Sequence, residues 1–384
     1  MSEGGYRPDR RIPLRSVRAS AAVIGVLLTG ALVALIVESD RFTLHQPTQA
    51  EVEAFGAQLE HSLSGGDMEF LRGRMPGDAI AVHALSDREL PSERLQQIAT
   101  TFSSGLPAYV QRLREQVGAR GTFRLIGAHL GPARVLLRMS GQGLGYLELR
   151  LAKDSMGRVV CVDLISHLGG TSFRNTLRAE RTPAVADAQR KLASFLHQGR
   201  DSEGLAYWQR LPAEVQEDGG LALMRLAAAG KVDDPEQLEA AGEALEPHLS
   251  RWSQDPYGGP DRRLTLMGLH THRQEFAQAL KLVDLAEDRV GPDAAFDAMR
   301  ARILLQSGDL EAGAAKAAQA VEALPLDPYV QEIQFAAALL TKNWAAAVEA
   351  ARVLVKLGAA DEDLRRHRGW DAFVESEPYR AWRE

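Results

Sequence analysis

The chain has 384 residues and a formal net charge of -6, with both signs mixed along its length, so it offers no basic stripe of the kind nucleic acid needs. Its single cysteine, Cys161, excludes an internal disulfide and any paired-cysteine metal site. The length leaves room for two domains.

The first element is an apolar run from Ala19 to Val37. At roughly 1.5 Å per residue such a helix reaches about 28 Å, close to the thickness of a hydrocarbon core. Arg7, Arg10, Arg11, Arg15 and Arg18 precede it, and Glu38 and Asp40 follow it. This asymmetry predicts a single-pass membrane protein with residues 1–18 cytoplasmic, 19–37 spanning, and the bulk extracytoplasmic. The Ala/Arg/Gly-rich usage with few lysines suits a bacterial inner membrane, with the bulk facing the periplasm. A cleaved signal peptide would have a shorter apolar core and a small-x-small site, which Val37 and Ser39 match poorly.

Residues 38–48 read as a tether around Pro47. The stripe Val52, Phe55, Leu59, Leu63 predicts an amphipathic helix, stopped by Gly65-Gly66-Asp67. Met68, Leu71 and Met75 predict a short second helix. Pro91-Ser92 opens a longer one, carried by Leu95, Ile98, Phe102, Tyr109, Leu113 and Val117, which Pro107 is expected to bend or divide. Four extended runs follow, Thr122 to Leu130, Ala133 to Ser140, Gly143 to Lys153 and Arg158 to Ser166, separated by turn-forming residues. They predict a four-stranded antiparallel meander with one face against the helices. By strict alternation Cys161 and Asp163 share one face of the last strand, and Val160, Val162 and Leu164 the other. If the second set makes the core, Asp163 is a solvated carboxylate. Cys161, within an apolar run, reads as a small buried hydrophobe.

Helices leading into a curved meander, over Gln49 to Ser166, resemble the cone-shaped fold of the nuclear transport factor 2-like and ketosteroid isomerase-like superfamily. The resemblance implies a hollow that serves as a small-molecule pocket, a weak enzyme site or a dimerisation surface. Tyr146, Asp163 and His129 are the candidates for such a hollow, although none aligns with a catalytic position of that superfamily. The domain is assigned to residues 49–168, and 169–183, rich in Gly, Ser and Arg, to a linker.

From 184 to 384 the texture is helical and alanine-rich. Phe276, Leu310 and Trp344 lie 34 residues apart, and the same step links Ala279, Gly313 and Ala347, then Val283, Ala317 and Ala351, then Ala286, Ala320 and Leu354. A 34-residue period of paired helices resembles tetratricopeptide repeats, with Gly308 to Pro328 similar to a second helix of that family. Further helical hairpins are expected over Val185–Leu196, Gly204–Leu211, Gly220–Ala229 and Pro235–Leu249. At the far end Trp370, Phe373, Tyr379 and Trp382 are expected to plug the last repeat, because a terminal unit lacks a neighbour.

The predicted fold class is therefore an α+β cone followed by an all-α tetratricopeptide-type solenoid, behind one transmembrane helix. No metalloprotease, phosphate-loop or nucleophile-elbow motif occurs, and His270-Thr271-His272 lacks marked further ligands, so neither catalytic residues nor a cofactor or metal is predicted. The expected task is a protein-interaction scaffold that binds a protein or peptide in its repeat groove. In the 34-residue frame the concave face should hold Leu269, Arg300, Ile303, Leu304, Gln334, Phe335 and Ala338, with Arg300, Gln334, Leu304 and Phe335 as the partner contacts. Changing Arg300 and Gln334 should then weaken capture and spare stability. The alternative is a small-molecule-binding or weakly enzymatic cone, with the repeats only docking it. A third reading makes the cone a spacer or homodimer surface.

Overall fold

The computed structural model describes residues 44–384 apart from 66, 68, 87–89, 119–120, 142, 168–170, 173–181, 233 and 254–262. The basic leader, the apolar run and most of the 169–183 connector thus lie outside the described residues. Among the described residues no helix is long and apolar enough to cross a membrane.

The first module begins with α1 (Gln49–Ser64), α2 (Glu69–Gly73), α3 (Gly77–Leu85) and α4 (Ser92–Val117). Thr48 starts α1 through a capping box with Glu51, which satisfies N–H groups that a helix end leaves open. α4 runs through Pro107 as one 26-residue helix, so that proline does not divide it. α3 was not foreseen. It is rich in alanine and so lacks the large-residue stripe that marks the other helices.

Strands β1 (Thr122–Leu130), β2 (Ala133–Ser140), β3 (Leu144–Lys153) and β4 (Val159–Ser166) form the expected antiparallel meander, and the short β5 (Thr171–Ser172) extends it past β4. One sheet face closes on the helices. There Val135, Leu137, Leu147, Leu149 and Leu164 pack with Phe55, Leu59 and Leu106. Large apolar side chains fill the space that the cone resemblance leaves hollow.

The face assignment on β4 needs correction. Arg150 pairs with Asp163 but Leu151 pairs with Cys161, so Val162 is an extra residue in a bulge. The bulge resets alternation, and Cys161 and Leu164 both join the helix-facing core. Val160 and Val162 pack instead with Ala79 and Ala152. Asp163 is 1% exposed rather than solvated. Cys161 is fully buried as expected, and burial pushes its thiol well up from the ordinary value.

The helical part comprises α5 (Pro183–His197), α6 (Asp201–Gln209), α7 (Ala213–Gln216), α8 (Gly219–Ala229), α9 (Pro235–Ser253), α10 (Arg263–His272), α11 (Phe276–Val290), α12 (Ala295–Ser307), α13 (Leu310–Ala323), α14 (Pro328–Leu340) and α15 (Trp344–Lys356), then the short α16 (Asp361–Arg365), α17 (Trp370–Val374) and α18 (Glu377–Arg383). The 34-residue period is written into the backbone. α11, α13 and α15 start at Phe276, Leu310 and Trp344, and left-handed φ values recur just before them at Gln274, Gly308 and Lys342. The residues at these steps are buried: Val283, Ala317 and Ala351 are 0% exposed, as are Ala279 and Ala347. Gly313 lets α13 approach α12 so closely that a Cβ there would meet Leu305 at 2.8 Å.

Phe335, Trp370 and Phe373 form one aromatic cluster with Tyr379, ring centroids 5.0–6.4 Å apart, and close the final repeat as the sequence suggests. Upstream, Leu269 of α10 joins Ala241 and Leu245 of α9 in one cluster, and Arg273 ion-pairs with Glu239 and Glu246, so the earlier hairpins continue the same stack.

Candidate functional site

Over β2 and β3 the sheet's second face is turned to the repeats and not to solvent. Leu136, Leu144 and Tyr146 belong to the same apolar cluster as Phe296, Met299 and Val330. The Tyr146 ring stacks on Phe296 with centroids 5.0 Å apart, and its hydroxyl donates to Asp293 at 3.3 Å. Burial first, and then the Asp293 charge, raise the Tyr146 hydroxyl well above its ordinary pKa. Tyr146 is thus a packing residue of this interface.

At the centre is Arg138 of β2. Its Nη1 lies 2.5 Å from Asp293 and its Nε 3.3 Å from Asp327, with all three side chains 4–6% exposed. Ser140 donates to Asp327 at 2.5 Å. Both aspartates also accept from the first N–H groups of a helix: Asp293 from Ala295 in α12, and Asp327 from Val330 in α14. Each carboxylate therefore caps a helix and holds an arginine. The two lie 34 residues apart, as does Asp361 at the start of α16. That recurring aspartate was the signal available in the sequence for this interface.

A second buried charge group occupies the same sheet face. Glu148 is 1% exposed and lies 3.2 Å from Arg134, 3.3 Å from Arg150 and 3.5 Å from His167. Burial alone would raise its carboxyl, but His167 first and then the two guanidiniums outweigh it and hold the group at about 2 instead of 4.5. A carboxyl depressed in the folded state stabilises the fold above its ordinary value, and that contribution is lost as pH falls from 4.5 towards about 2. Denaturant titrations across that window should show stability falling with pH in the parent and a shallower fall in Glu148→Gln. Equal acid slopes would remove Glu148 from the account.

A trough of about 1020 Å³ lies on the repeats between α12, α14 and the turn before α17. Leu305, Ile333, Ala336 and Leu340 form its floor, Trp344 stands at one side, and Arg302, Lys342 and Arg368 rim it. The Tyr329 ring below is buried, which raises its hydroxyl, while the adjacent Arg302 pulls the other way. A smaller cavity of about 550 Å³ lies between the cap, the end of α4 and the Gly141 turn. Glu332 and His367 line both cavities, 3.8 Å apart. Burial lowers the pKa of His367.

The four expected partner contacts lie elsewhere. Arg300 ion-pairs with Asp284 and Glu287 of α11 and with Asp297. Phe335 is 0% exposed in the cap core. Leu304 and Gln334 are half-buried and outside the trough. The lining pairs Arg302 with Ala336, Leu305 with Leu339, and Gln306 with Leu340, each again 34 residues apart. The lining keeps the 34-residue step but lies on another face of the helices than the four expected contacts. Arg302 follows Arg300 by two residues, and at roughly 100° per residue that is nearly the opposite side of the helix.

Tyr146 and Asp163, candidates for a reactive hollow, line neither of these cavities, and His129 lies near the end of the edge strand β1. His270 is 2.5 Å from Glu275 at the end of α10. Among the described residues no group of His, Cys, Asp or Glu is arranged to hold a metal ion.

An α+β module locked to a stack of helix pairs, with a trough left free on the stack, defines a helical-repeat protein. No family model matches the chain, and no curated protein does. A solved structure, the TPR2AB domain of yeast Sti1 in complex with pHSP90, shares 13% sequence identity over 55% of this chain and 88% of that chain, with a TM-score of 0.25. At that score the likeness carries no argument about fold or partner.

Proposed function

We propose that the protein is an interaction scaffold of tetratricopeptide type that captures a segment of a partner protein in the trough between α12, α14 and the cap. The observation that carries this reading is the trough itself: an apolar floor, a polar rim and walls from two consecutive repeats and the cap. Segments held this way dock apolar side chains in the groove and take their specificity from the rim. The apolar run 19–37, with arginines before it, supports a membrane anchor that holds this scaffold on the extracytoplasmic side. The α+β module acts as a brace, since its second face is spent on the repeats.

Ala336 lies half-buried on the trough floor, so Ala336→Arg should fill the trough from a position outside the repeat core. In cross-linking from intact cells, a partner bound by the parent chain should be lost with this variant, while stability changes by less than about 1 kcal/mol. Equal cross-linking by both chains would remove the trough from the function.

A further inference from the structure

We infer that the end of the sheet carrying the β1–β2 and β3–β4 turns rests on the lipid surface, with Met156 and Leu130 entering the headgroup layer, and so sets how the repeats stand above the membrane. This rests on the reading of residues 19–37 as an anchor and adds the surface that meets the lipid.

The chain enters the α+β module at this end. His45 and Lys153 each donate a backbone N–H to the other's carbonyl, at 2.9 and 2.7 Å. The Gln46 side chain donates to the carbonyl of Leu130 at 3.1 Å, and Leu44 packs with Ala152, Val160 and Val162. The incoming chain is thus fastened to the ends of β1 and β3, beside both turns, with no slack after Leu44. Seven residue steps separate Val37 from Leu44, a reach of at most about 25 Å. The opposite end of the sheet, at Gly141, is one strand away, roughly 27 Å further for the eight residues of β2. The near end is therefore the one held within reach of lipid.

The side chains at that end suit an interface. Met156 is 69% exposed, more than any other large apolar side chain among the described residues, and Leu130 is 36% exposed. Turns ordinarily carry glycine and small polar residues at such tips, whereas apolar side chains gain free energy once an interface takes them out of water. Asp154 braces the β3–β4 turn by accepting from the backbone N–H groups of Met156 at 3.0 Å and Arg158 at 2.9 Å, so Met156 is presented on a fixed loop. Lys153 is paired with Glu51, and Arg158 with Asp154. The contact then depends on the apolar side chains and not on attraction to anionic headgroups.

The test uses the full chain in phosphatidylcholine vesicles, with an environment-sensitive fluorophore on Ser155→Cys or, at the far end, on Leu326→Cys. Leu326 is 59% exposed and precedes Asp327, which accepts from Ser140. Cys161 is buried and stays unlabelled. Brominated acyl chains should quench the label at 155 several-fold more than the label at 326. Met156→Asp with Leu130→Ser should remove that difference while the chain still floats with the vesicles and keeps its far-UV circular dichroism. Added phosphatidylglycerol should leave the quenching unchanged. Equal quenching of the two labels in chains that float overturns the inference and leaves the anchor standing. Chains that fail to float overturn the anchor reading and the inference with it. Quenching at 155 that survives the double variant, or that appears only with phosphatidylglycerol, also overturns the inference. So does self-quenching of the 155 label that vanishes as lipid dilutes the protein, which would make this end a contact between copies.

Discussion

Replacing Arg138 by Ala should destabilise the folded chain by about 3–5 kcal/mol, the usual range when one partner of a buried ion pair is removed. The cost arises because Asp293 and Asp327 stay buried with 4% side-chain exposure after their cation has gone. Their helix-capping bonds from Ala295 and Val330 remain, which softens the loss without neutralising either charge. Denaturant unfolding, followed by far-UV circular dichroism for the helices and by near-UV signals for Tyr146 against Phe296, should reveal it. In the parent both probes should report one transition. In Arg138→Ala they should separate, because the sheet and the repeats are held together through this face. A loss below about 1 kcal/mol would mean that the apolar contacts of Leu136, Leu144 and Tyr146 carry the interface alone.

The same logic predicts a rescue. Arg138→Met with Asp293→Asn and Asp327→Asn removes all three charges while leaving a side chain able to cap α14. Since buried ion pairs gain little net free energy over apolar replacements, this triple variant should recover most of the lost stability. The charges then act chiefly to fix which repeats dock on the sheet. Asp293 and Asp327 occupy equivalent positions, and one arginine reaching both sets the register of the two modules.

Local pattern was a good guide where structure is local. The two ends of β1 and of β2, the helical hairpins and the packing of Val283, Ala317 and Ala351 all follow from periodicity, because alternation and the 34-residue step each reflect one repeating contact. Three things were not legible. The bulge at Val162 inserts a residue without any mark in the sequence, and every side-chain direction beyond it reverses. Arg138, Ser140, Tyr146 and Glu148 look like an outward polar face, since alternation cannot tell water from a second module. α12 and α14 are apolar on several sides, as first helices must be when they touch both neighbours, so the polar Arg300 and Gln334 do not mark the side on which the trough lies. Arg300 bridges to α11, and the floor of the trough is apolar.

Phe335 makes that distinction measurable. Sequence reasoning put it on the binding surface, where truncation should weaken capture and spare the fold. The structure buries it completely, with its ring 5.7 Å from Phe373, 6.4 Å from Trp370 and 5.2 Å from His367. Phe335→Ala should therefore cost about 3–5 kcal/mol, as expected for emptying a buried aromatic site. The loss should be local in origin, because each unit of such a stack rests only on its neighbours and the cap has a neighbour on one side alone. Hydrogen exchange should accelerate first in α15 to α18, while amides in β2 and β3 keep most of their protection. Trp344, Trp370 and Trp382 surround the site and give a fluorescence signal for the same event. Unchanged exchange in α16 to α18, together with reduced peptide binding, would return Phe335 to the binding face. Release of the cap should also open the wall at His367 that the trough and the smaller cavity share. Phe335→Ala would then weaken capture only through the loss of structure, and conditions that restore the cap's protection should restore binding in parallel.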